Sequence, residues 1–156
     1  MLVLRTPVLN HNIYRISLVP SGNYLFLSLK LIHPFSQGSA YISSTDSSVQ
    51  STIDQGILTD EVDLAVLVGA IKICRRLIAT GDFSTLVSKE VTPGIQVQSD
   101  EELKEYIRKS VAIASKPVGT TPMVARNNAG VVASDLKIYG AENLRVVGMI
   151  GCSFVS

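Results

Sequence analysis

The hydrophobic period changes once along this chain, and that change limits the folds open to it. Over residues 23–32, Leu25, Leu27, Leu29 and Leu31 alternate with Phe26, Ser28 and Lys30, the period-two pattern of a strand with one buried face. From Asp60 the period becomes helical: Leu64, Leu67, Ile71, Cys74 and Ile78 fall three or four apart on one face. Lys72, Arg75 and Arg76 sit toward the basic end that suits the helix dipole, and Gly81 marks a stop. A second helix is expected from Ser99, where Ser99 and Glu102 have capping-box spacing ahead of Leu103, Ile107 and Val111 or Ala114. Glu105 and Lys109 are placed to pair across one turn.

Between strand and helices, Pro34 and Gly38 punctuate a turn, and residues 40–43 can form a second strand that makes a hairpin-like unit with the first. The Ser-, Thr- and Asp-rich stretch that follows reads as loop. Beyond Lys116 the chain returns to short extended pieces at 130–133, 135–139 and 144–150, separated by Gly and Asn. Strands and helices are segregated, which implies an α+β fold with an antiparallel or mixed sheet backed by two or more helices. One domain over 23–156 is expected, with 1–22 unassigned.

A chain of 156 residues with 46% hydrophobic and 17% charged content can bury a core of its own. Its net charge of +1, with Lys and Arg scattered, gives no electrostatic footprint for nucleic acid. Asn10, His11, Asn12 and Arg15 interrupt the apolar opening where a signal peptide needs continuity, and no apolar run is long enough for a membrane-spanning helix. Neither nucleic acid nor membrane is therefore an expected partner. Cys74 and Cys152 are too few for a disulfide framework. His11 and His33 lack companions at ligand spacing, so no metal site is expected. Ser36 and Ser39 lack the partners a hydrolytic nucleophile requires, His33 reads as a turn residue, and Tyr41 and Tyr139 are expected to cap the core with their hydroxyls toward water.

The most specific stretch is residues 116–147, KPVGTTPMVARNNAGVVASDLKIYGAENLRVV. Pro117, Val118, Gly119, Thr120, Met123, Gly130, Val131, Val132, Leu136, Tyr139, Gly140, Asn143, Leu144, Arg145, Val146 and Val147 follow one another as in the carboxyl-terminal, substrate-binding part of the glucose-methanol-choline (GMC) oxidoreductases, which the chain resembles, particularly the aryl-alcohol-oxidase-like branch. Upstream, LKLIHPFSQGSAYISSTD and the two helical segments are also similar to that family, with Gln37 where an Arg is usual, so the resemblance covers about residues 23–149.

The resemblance implies FAD as the parental cofactor and an alcohol as the substrate of the complete enzyme, with hydride passing to the flavin and the hydroxyl proton to a His. Lys116 stands at the position of that catalytic His, and Gly148 and Met149 at flavin-proximal positions, with Gly148 and Ala133 replacing Asp residues of the family. An ordinary Lys, with a pKa of about 10.4, is unprotonated in only about one molecule in 2,500 at neutral pH. The family's second catalytic His or Asn has no counterpart after Gly148, and no Gly-x-Gly-x-x-Gly turn for dinucleotide binding is present. The expectation is a truncated, divergent GMC domain that alone binds no flavin, with no catalytic residue of its own, and whose partner is a flavin-binding domain or chain. A non-catalytic interaction module and one half of a split flavoenzyme are the alternatives.

Overall fold

The computed structural model describes residues 2–5, 24–113, 118–148 and 151. In chain order it contains β1 (Leu2–Arg5), β2 (Tyr24–Leu27), β3 (Ser39–Tyr41), β4 (Thr52–Asp54), α1 (Glu61–Ile78), α2 (Phe83–Leu86), β5 (Lys89–Thr92), α3 (Asp100–Ser110) and one 3-10 turn, Arg126–Asn128. Two compact units result, Met1–Ala112 and Ile113–Ser156. The fold is α+β with small antiparallel sheets and helices, as the change of period implies.

In the first unit β1 is the middle strand of a three-stranded antiparallel sheet in the order β2-β1-β5. Its register with β2 pairs Leu2 with Leu27 and Arg5 with Tyr24, and a bulge between Val3 and Leu4 interrupts its pairing with β5. β1 therefore comes from the segment that the sequence pattern leaves unassigned. The strand expected over 23–32 is confined to β2. Beyond it Leu29 leaves the ladder and packs against the helical core instead.

The hairpin also differs from expectation. β3 pairs with β4, Ala40 opposite Ile53 and Tyr41 opposite Thr52, rather than with β2. The polar stretch expected to be loop contains β4, and the turn between β2 and β3 is held elsewhere, on α1.

α1 starts where the Asp60 carboxylate accepts the Val62 N–H at 2.8 Å, and it ends at Ala79, with Gly81 two residues on at a φ of 55°. α3 starts with the expected capping box: Ser99 Oγ accepts the Glu102 N–H, and the Glu102 carboxylate accepts the Ser99 N–H. The two helices pack through Leu64, Val68 and Ile71 of α1 against Leu103 and Ile107 of α3, all buried. Removing each such side chain from water stabilises the fold by roughly 1.5–3 kcal/mol before entropy is counted. Leu58, Leu67, Val97, Tyr106 and Val111 close the edges of this cluster. No helix among the described residues is long and apolar enough to cross a membrane.

Arg75, expected to serve the helix dipole, has a more specific task. Its guanidinium donates to both Glu90 oxygens, at 3.0 and 2.8 Å, and to the Val97 carbonyl at 2.8 Å. Glu90 in turn accepts the Gly94 N–H at 3.1 Å. This largely buried, bidentate pair ties α1 to β5 and to the loop before α3.

The second unit is built from turns. Among the described residues, the expected strands at 130–133, 135–139 and 144–150 reduce to two isolated antiparallel bridges, Val132 with Ile138 and Lys137 with Arg145, while residues 149–150 of the last lie outside the described residues. Ala129, Leu136 and Asn143 all have φ between 59° and 69°, and such left-handed residues turn the chain before a ladder can extend.

Candidate functional site

The motif that singles out residues 116–147 lies within the second unit. There Gly119, at a φ of 83°, follows Val118 in a bend, and the Pro122 carbonyl accepts the N–H groups of Val131 and Val132 at 3.0 and 3.3 Å. Gly130 is required by a close approach: a Cβ on it would come within 1.9 Å of the Val124 carbonyl oxygen. Tyr139 N–H donates to the Val131 carbonyl, and Ala133 N–H to that of Lys137. Val132 is the buried side chain at the middle of this arrangement.

The Tyr139 hydroxyl does not point to water as expected. It donates to the Val124 carbonyl at 3.3 Å, closing the same loop from the other side. Met123, Val124, Ala125, Val132, Ser134 and Tyr139 line an open depression of about 210 Å3. That is smaller than the roughly 300–1,000 Å3 of most ligand pockets, and no carboxylate, imidazole or thiol lines it. A hydroxyl substrate placed there would find no base.

The sequence-derived site residues are only partly brought into view. Lys116, Pro117 and Met149 lie outside the described residues. Gly148 is exposed, and a Cβ built on it meets nothing within 4 Å, so there is space for a side chain. Its φ of 155°, however, is one that side-chain-bearing residues rarely adopt, so an Asp there would require the backbone to turn. Among the described residues no group of three or more His, Cys, Asp or Glu side chains could hold a metal ion.

A flavin dinucleotide needs amide donors for its pyrophosphate, ordinarily at a helix N-terminus. Neither long helix presents them. The first turn of α1 carries Glu61 and Asp63 and is capped by Asp60; that of α3 carries Asp100, Glu101 and Glu102 and is capped by Ser99. The caps use amide donors there, and the carboxylates oppose an approaching phosphate. Burying the pyrophosphate at either end would set like charges together, so the described residues do not fit the cofactor's anionic half.

Sequence reasoning missed Asp63. It is buried on α1, where its two carboxylate oxygens accept the backbone N–H groups of Phe35 and Ser36, each at 2.8 Å. Ser36 Oγ also accepts the Asp60 N–H at 3.0 Å. Burial pushes the Asp63 pKa up, but the hydrogen bonds from the Ser36 hydroxyl and the two amides outweigh it, and the net direction is downward. The His33-Pro34-Phe35-Ser36 turn is thereby fixed to the start of α1. Its signal in the sequence was an acidic residue next to the buried stripe, adjacent to Leu64. Burial likewise raises the Cys74 thiol pKa, which leaves it a poor nucleophile.

The family model described as GMC oxidoreductase matches residues 34–149. The chain is 38% identical over 130 residues to a chloroplastic fatty acid photodecarboxylase of Chlamydomonas reinhardtii, covering 82% of this chain and 21% of that protein. It is 34% identical over 127 residues to versicolorin B synthase of Aspergillus parasiticus, covering 80% and 20%. Among solved structures, a fungal aryl-alcohol oxidase superposes with a TM-score of 0.62 at 32% identity, over 74% of this chain and 19% of that one. Formate oxidase of Aspergillus oryzae, at 24% identity, shares the fold with a TM-score of 0.76 over 88% and 24%. The chain belongs to the GMC oxidoreductase family and aligns with its carboxyl-terminal domain. It spans about a fifth of the length of the curated relatives it matches.

Proposed function

We propose that this chain acts as the substrate-side part of a GMC flavoenzyme of the alcohol-oxidising kind, and that by itself it neither holds FAD nor oxidises an alcohol. The observation that carries this reading is the pair of side-chain-capped helix starts with acidic first turns, together with the lack of any Gly-rich strand-to-helix turn in the sequence. FAD, when bound in a complete enzyme, supplies the hydride acceptor. Its anionic half must be held by a flavin-binding domain or chain.

Relatives named for photodecarboxylation and for a synthase reaction show that family membership alone does not fix the chemistry. What favours alcohol oxidation is the ordered match to the aryl-alcohol-oxidase-like pattern through Gly119, Thr120, Met123, Gly130 and Tyr139, with an aryl-alcohol oxidase among the structural neighbours. What opposes activity of this chain is Lys116 at the base position. At neutral pH a Lys with an ordinary pKa carries a proton and cannot take the hydroxyl's.

The test is to incubate the chain, and its Lys116→His variant, with FAD and an aryl alcohol without oxygen while following flavin absorbance. No bleaching is expected in either. Bleaching by the unaltered chain would overturn the proposal, and bleaching by Lys116→His alone would show that the base, not the cofactor cradle, is what is missing.

A further inference from the structure

We draw no further inference here: the strongest candidate, the exposed apolar surface of the β3–β4 hairpin around Tyr41, Ile42 and Ile53, carries nothing, because nothing in the structure shows what covers it.

Discussion

The two units of the chain are held together by different physics. Met1–Ala112 is organised by side chains: a buried apolar cluster between α1 and α3, the Arg75–Glu90 pair, and Asp63 on the Phe35–Ser36 turn. Ile113–Ser156 is organised by main-chain hydrogen bonds between turns, with left-handed residues at each reversal and Val132 as its buried side chain among the described residues. The residues that most specifically carry the family pattern lie in the second kind of structure. A motif read from turns depends on Gly and carbonyl geometry more than on the chemistry of any one side chain.

That contrast is open to attack at single residues. The largest effect is expected from Leu103→Ala, which empties a fully buried position between the helices; chemical denaturation should show a loss of about 2–5 kcal/mol. An effect below about 1 kcal/mol would mean that the helical core does not govern the stability of the first unit. In the second unit the corresponding weak point is a glycine. Gly130→Ala drives a Cβ into the Val124 carbonyl and should cost about 1–3 kcal/mol, seen as faster amide exchange at Val131, Val132 and Tyr139. Unchanged exchange there would contradict the account of the close approach.

Asp63→Asn should cost about 1–3 kcal/mol, because an amide nitrogen replaces one of two oxygens that each face a backbone N–H. The pH dependence follows from the lowered pKa of Asp63 in the folded chain. A carboxyl whose folded pKa lies below its unfolded value binds fewer protons when folded, so its contribution is complete above the unfolded value of about 3.9 and is lost as pH falls through the folded one. Denaturation measured from pH 6 down to pH 2 should therefore show an acid-induced loss that is smaller in Asp63→Asn. Parallel curves for the two proteins would remove Asp63 from the account.

Legibility in the sequence divided along the same line. Both long helices, the Ser99–Glu102 capping box and the Glu105–Lys109 pair, which meets at 2.9 Å, were readable because each rests on residues three or four apart. β1 and β5 were not, since four-residue strands that pair across most of the first unit leave no local period. The β3–β4 pairing was missed for a related reason: Thr52–Asp54 lies in a Ser- and Thr-rich stretch whose composition reads as loop. At the candidate site the order of Gly, Met and Val residues was legible, whereas the internal bond of the Tyr139 hydroxyl depends on where the Val124 carbonyl comes to lie. Asp63 was obscured because an acidic residue in a first helical turn already has an ordinary explanation in the helix dipole.

The central claim is that this GMC-family chain supplies substrate-side structure without a place for the cofactor's pyrophosphate. Calorimetric titration of the purified chain with FAD tests it most directly. The account predicts no binding heat at micromolar concentrations. A saturable one-to-one complex at micromolar or tighter affinity, equivalent to about 8 kcal/mol or more, would contradict it.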